Sequence, residues 1–379
     1  MMQVATSRAW LRRNLFADAF SSATTLVLLA AALYLLPGLI DWLLLQAVFK
    51  ADAAACQAVN HAGACWGVVA EKYRFILFGR YPYAEQWRPL LATALLLLVI
   101  GAGGMRLLAR GPLLAAWALS LPAFIALMGG GHFGLSQVGS DQWGGLPLTL
   151  LLAATGMLLA LPLAILVALG RQSDLPLLRA VCLMYVELVR GVPLISVLFL
   201  ASFLFPIILP QGLSIDVLLR VQAGIVLFAA AYLSETIRGG LQAVPVGQRD
   251  AAAALGLRRW QAMRWIILPQ ALRAVIPSIM NSAVSIFKDT SLVTVVSLYE
   301  LTGSLSLALA GDAEWRSFHL EGYIFIGLIY WVGCYSMSRF SANLEHDSKL
   351  PQEYPCCRCV FAHHATAPAP PICIRNQGE

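Results

Sequence analysis

Charge is scarce in this sequence: Asp, Glu, Lys and Arg together make up 12% of 379 residues, about half the share of an ordinary soluble domain. Lysine is rarest, confined to Lys50, Lys72, Lys288 and Lys349, and none of these precedes a Ser or Thr. The chain therefore has no phosphate-cradling P-loop. It also lacks H-E-x-x-H and G-x-S-x-G, so metalloprotease and hydrolase readings have no foothold. Any ATP this protein uses is hydrolysed by a partner.

Apolar residues are what the chain has instead, at 59%. Runs long enough to cross a bilayer fall at about 20–40, 89–104, 112–129, 146–170, 193–209, 221–237, 275–296 and 322–337. The expected fold is an all-α integral membrane protein with about eight transmembrane helices. Arg8, Arg12 and Arg13 precede the first run, which is too long for a signal peptide and has no small-residue cleavage site. It is read as a span with a cytoplasmic N-terminus.

The net charge of +6 is spread over short loops rather than gathered on a basic face, so a nucleic-acid partner is not expected. The spread is instead a topological signal, because cytoplasmic loops accumulate Lys and Arg. Segment 238–273 carries six arginines and is placed inside. Loop 41–88 and the acidic stretch around Glu300, Asp312 and Glu314 are placed outside, and both termini are cytoplasmic.

Cys56 and Cys65 lie in the first outer loop, an oxidising space where a disulfide closes a small loop. Two reduced thiols are the alternative. Cys356, Cys357, Cys359, His363 and His364 sit in a Pro-rich tail, but their spacing fits no regular paired ligand pattern, so no metal site is expected. Segment 341–379 is read as a disordered cytoplasmic tail.

Ser285-x-x-Lys288 places a hydroxyl and an amine on one helix face, the arrangement of a serine nucleophile with a lysine base. Asp289 gives the blander reading, since a lysine within a membrane needs a counter-charge. Glu187 and Arg190 are spaced for an ion pair, and Gly191 and Pro193 loosen the chain just before a span. Glu235, Lys288 and Asp289 are intramembrane ionisable groups of the kind that face a cavity.

The inner segment is the most informative. Asp250, Ala251, Ala252 and the alanines after them form a helix that Gly256 stops. Beyond it, Trp260, Met263 and Ile267 recur at helical spacing until Pro269, which is expected to end the second helix. Two short helices joined at a glycine make a compact projection suited to a groove on another protein.

Asp250-Ala251-Ala252, Gly256, Ile266 and Leu268-Pro269 together resemble the cytoplasmic loop of ABC importer permeases. The flanking runs Glu187–Leu194, Ala231–Gly240, Leu268–Ala271 and Lys288–Leu292 are similar to polar-amino-acid permeases, and Phe75–Pro82 is similar to the long subunit of general L-amino-acid importers. Asp250 stands where the family usually has Glu.

The resemblance implies a five-helix permease core over 144–340, preceded by an extension over 1–143 with about three spans. It implies that Asp250, Ala251, Ala252, Gly256, Trp260, Met263, Ile266, Leu268 and Pro269 dock a cytoplasmic ATPase dimer. Glu187, Arg190, Gly191, Pro193, Glu235, Lys288 and Asp289 are candidates for the pathway or its gate. The implied partners are a second permease subunit, a periplasmic amino-acid-binding protein and membrane lipid. The chain itself carries no cofactor and no catalytic residue, with ATP and Mg²⁺ held on the ATPase. An ion-coupled secondary transporter or channel is the alternative, and an intramembrane hydrolase built on Ser285 and Lys288 a third.

Overall fold

A bilayer offers no water to peptide groups, so an apolar chain satisfies them within helices. The computed structural model describes residues 14–348 except 60–61, 106, 132–133 and 211–213, and every named element among them is helical. The tail cysteines and histidines lie outside the described residues.

Helix α1, Ala19–Ile40, is capped by Asp18, whose carboxylate accepts from the Ser21 amide at 2.8 Å, and it runs on as a π-turn over Asp41–Leu45. It buries none of its residues. Its foot is held where the Trp66 indole donates to the Leu43 carbonyl at 2.9 Å.

Loop 41–88 is a folded cap, because its apolar residues find a partner surface. Helices α2 (Ala53–Ala58) and α3 (Gly67–Phe78) pack Cys56, Val68 and Ile76 against Leu301, Leu305, Leu309, Trp315 and Phe318. Cys56 and Cys65 are joined by a disulfide with Cα atoms 5.5 Å apart.

Helices α4 (Trp87–Gly104) and α5 (Arg110–Gly129) pair side by side. At their outer end the fully buried Arg88 donates to the Leu127 carbonyl at 2.7 Å and the Ser136 carbonyl at 3.0 Å, with Glu85 as counter-ion. The Tyr81 hydroxyl donates to Met128 O at 2.9 Å, and burial pushes this phenol up to about 12.

The core is built on α6 (Gly145–Gly170) and α9 (Val217–Ala243). Between them run α7, Pro176–Arg190, and α8, Leu194–Ile208, which are bent by 106° relative to each other. Inner helices α10 (Val246–Ala254), α11 (Arg259–Ala262) and α12 (Leu268–Ala274) follow, then α13 (Ile276–Asp289) with a 3₁₀ turn over Thr290–Val296, α14 (Leu301–Ala310) and α15 (His319–Ser348).

Among the described residues six helices are long and apolar enough to span a membrane, seven with the bent pair taken as one span. The expected eighth, at 275–296, is a 14-residue helix extended by the 3₁₀ turn, since its polar residues and the tight turn break the apolar run. Helix α15 also continues to Ser348, through the first residues of the segment read as a disordered tail.

Glu300 is not a solvated loop acid. It is completely buried as the N-cap of α14, accepting from the Thr302 amide at 2.8 Å, the Tyr330 hydroxyl at 2.7 Å and the Thr149 hydroxyl at 3.1 Å. Extension and core meet at Gly79, Gly144 and Gly145, where a Cβ on Gly145 would lie 2.0 Å from the Leu77 carbonyl oxygen. Gly79 and Gly145 also hold positive φ, at +64° each, which favours glycine.

Candidate functional site

Three features share one half of the core. The first is the inner projection. Helix α10 ends at Gly256, whose φ of +73° and open surroundings fit a glycine stop. The Arg258 amide donates to Gln261 Oε1 at 2.9 Å at the start of α11. Gln270 reaches Gln248 at 3.3 Å, tying α12 to α10.

Pro269 does not end the second helix. A π-turn over Met263–Ile267 leaves Pro269 in the first turn of α12, where its missing N–H has no intrahelical bond to break. The extra residue shifts the register, so the expected stripe divides. Ile267 is buried and Met263 packs half-buried on the core, while Trp260 is 63% exposed.

Of the other residues singled out here, Ala252 is buried and holds the loop together. Asp250, Ala251, Gly256 and Pro269 are exposed, and Ile266 and Leu268 half-buried. Leu255 and Trp265 are also exposed, at 76% and 68%, and extend the outward apolar surface beyond Trp260. Their signal was an apolar residue amid arginines, hidden by the shifted register.

The second feature is a charged node where α6, α7 and α9 meet. Glu235 pairs with Arg171 at 2.5 Å and with Arg238, and Arg190 approaches it to 3.9 Å. The Glu187–Arg190 pair expected from spacing is absent among the described residues. Arg190 turns instead to Glu235 and lies over the Tyr232 ring at 5.5 Å. Gly191 and Pro193 form the corner between α7 and α8.

The third is a cavity of about 400 Å³ between α8, α9 and α13. Its walls are Leu194, Ile225, Phe228, Ala229 and Tyr232 on one side and Asn281, Ser282, Ser285 and Asp289 on the other. Asp289 thus faces the cavity, and Lys288 does not line it. Among the described residues Lys288 and Asp289 make no ion pair, and no hydrogen bond joins Ser285 to Lys288. Gln222, one turn before Ile225, has a buried amide without a hydrogen-bond partner.

Residues 160–349 match the family model described as binding-protein-dependent transport system inner membrane component. The chain is also 43% identical to the inner membrane amino-acid ABC transporter permease protein YhdY of Escherichia coli strain K12, across 90% of this chain and 93% of that one. This chain belongs to that family of transport permeases.

A second relative of the permease is the glutamate/glutamine/aspartate/asparagine transport system permease protein BztC of Rhodobacter capsulatus, 36% identical over 90% of this chain and 93% of that one. Among solved structures, an amino acid ABC transporter crystallised with histidines covers 54% of the permease and 92% of its own chain at 28% identity and a TM-score of 0.48. The permease is a multi-pass inner-membrane protein, and its family works with a binding protein and an ATPase.

Proposed function

We propose that this chain is the translocating subunit of an ATP-driven amino-acid importer, with hydrolysis on a partner ATPase dimer that holds ATP and Mg²⁺. One observation carries the reading. Helix α9 supplies Ile225 and Ala229 to the cavity wall and, near its inner end, Gly240 to the seat of docking helix α12. A rigid helix rising about 1.5 Å per residue thus links the projection to the cavity. Closure of the ATPase dimer on Asp250–Pro269 tilts α9 and opens the cavity to alternate sides of the membrane.

The cavity chemistry suits a zwitterion. The Asp289 carboxylate meets the ammonium, and the amide and hydroxyls of Asn281, Ser282 and Ser285 hydrogen-bond the polar remainder. Selection among amino acids falls largely to the periplasmic binding protein. The relatives' names support the amino-acid class, and a match to BztC and YhdY over 90% of this chain supports an extension over 1–143 ahead of the core.

An exposed polar face supports a second permease subunit. Ser278, Asn281, Ser285 and Lys288 form an exposed polar stripe along α13, and Lys288 has no hydrogen-bond or ion-pair partner among the described residues. Lipid cannot cover such a face cheaply. A facing permease helix can, and a shorter partner lacking the extension suits the asymmetry. This reading takes both termini as cytoplasmic, with α13 and its 3₁₀ turn crossing as an eighth span.

The test is purification from native membranes in mild detergent, with Gly256→Asp and Asp289→Asn compared in uptake assays. A co-purifying P-loop ATPase that is lost in Gly256→Asp supports docking. Loss of uptake with the complex intact in Asp289→Asn supports the cavity assignment. Absence of any ATPase, or full uptake in Gly256→Asp, overturns the reading.

A further inference from the structure

A second cavity, of about 520 Å³, opens beside the charged node at the inner end of the bundle. It lies between the end of α6, the first half of α7 and the end of α9, and Arg171, Gln172, Arg179, Leu183, Arg238 and Gln242 line it. Beyond the node, these residues take no part in the transport reading.

The charge balance there is strongly positive. Arg171 and Arg238 share the single carboxylate of Glu235, which also has Arg190 at 3.9 Å. The nearby Asp174 is already held by Arg259 at 2.5 Å. One acid therefore serves three arginines, and Arg179 adds a fourth cation with no side-chain partner among the described residues. Gln172 and Gln242 also line the space, and neither side-chain amide makes a hydrogen bond among the described residues.

Backbone and apolar surface add to this. Helix α7 begins at Pro176 with no side chain capping its first turn, so its free amides and positive dipole end lie beside the cavity. Along the same helix Leu177, Leu178, Val181, Met184 and Leu188 are exposed, forming an apolar skirt next to the basic lining. A soluble anion matches the arginines but leaves the skirt bare. An anionic amphiphile matches both, and basic pockets between membrane helices on the inner side are where anionic headgroups bind.

We propose that this cavity binds the phosphodiester headgroup of an anionic phospholipid, with its acyl chains lying along the outer face of α7. Arg179 is the free phosphate ligand, Arg171 and Arg238 supply the surrounding positive field, and Gln172 and Gln242 hydrogen-bond phosphate or glycerol oxygens. The bound lipid then braces the corner between α7 and α8 from the membrane side.

Native mass spectrometry of the full-length chain, with its co-purifying subunits, tests this with added phosphatidylglycerol, cardiolipin or phosphatidylcholine. The two anionic lipids are expected to bind about tenfold more tightly than phosphatidylcholine, a factor equal to ~1.4 kcal/mol. Arg179→Glu is expected to remove that preference, and Arg179→Gln to weaken it, without a change in melting temperature. Millimolar inorganic phosphate should not displace the lipid.

A benzophenone side chain at position 183, photolysed in native membranes, should yield a phospholipid adduct and keeps the test open even where a charge variant fails to fold. No preference for anionic lipid, full retention in Arg179→Glu, displacement by inorganic phosphate, or a protein adduct from position 183 each overturn the proposal. None of these outcomes depends on whether amino acids are carried.

Discussion

Gly240 of α9 lies directly under the Ala271 carbonyl of α12, so close that a Cβ at Gly240 would sit 2.7 Å from that oxygen. The contact is backbone on backbone, and it seats the projection on the helix that walls the cavity. Adding a methyl group must push α12 away. Gly240→Ala is expected to cost about 1–3 kcal/mol as overpacking and to cut uptake about tenfold while the complex still assembles. Gly239→Ala is the control, because nothing lies within 4 Å of a Cβ there. Equal uptake in the two variants would show that the seat does not transmit motion.

Gly256 has no steric neighbour but a φ of +73°. Its requirement is therefore conformational, and side chains should be ranked by their tolerance of left-handed backbone rather than by size. Gly256→Val is expected to destabilise the loop by about 1–2 kcal/mol, with Gly256→Asn milder. Hydrogen exchange over 246–262 reads this directly. The reverse order would mean that the site is limited by space.

Removing Glu235 leaves Arg171, whose side chain is 9% exposed, without its counter-ion. A broken buried pair costs about 3–5 kcal/mol, whereas replacing both partners with apolar groups is often neutral. Glu235→Ala should therefore lower thermal stability more than Glu235→Leu combined with Arg171→Met. A double variant as unstable as the single one would remove the pair from the stability argument.

The outer cap is held to the segment after α14 by Lys72, which donates to Asp312 at 2.7 Å and keeps that carboxyl below its usual range. Because the folded value is depressed, the stabilisation is complete above the unfolded carboxylate pKa of about 3.9 and disappears as pH falls through the folded value. Limited proteolysis of the cap should accelerate over that acidic range. Asp312→Asn should show a weaker cap at neutral pH and a flatter acid response.

The long apolar runs mark α1, α4, α5, α6, α9 and α15, because stretches of 16 to 25 residues with at most one charge have few other fates. The split of the inner loop at Gly256 was equally plain. Long-range pairing is not legible there: Arg171 and Glu235 are far apart in sequence, and Arg190 turns to Glu235 although Glu187 is nearer in sequence. Glu300 looked like a loop acid because burial of a carboxylate depends on Tyr330, Thr149 and two amides that only folding assembles. Trp265 was concealed by a π-turn, which leaves no mark in residue periodicity.

At the glycine seam between α3 and α6 the backbones of Gly79, Gly144 and Gly145 meet directly, and the Ser304 hydroxyl beside them accepts from the Gly145 amide at 3.1 Å, so there is little room there for sliding. The disulfide-closed cap, the outer half of α6 and the Glu300 end of α14 consequently travel as one block. Displacement during a transport cycle is left to joints without such a seam. The 106° corner between Pro176–Arg190 and Leu194–Ile208 has no such seam, and under the proposed cycle it is the joint expected to turn against that frame.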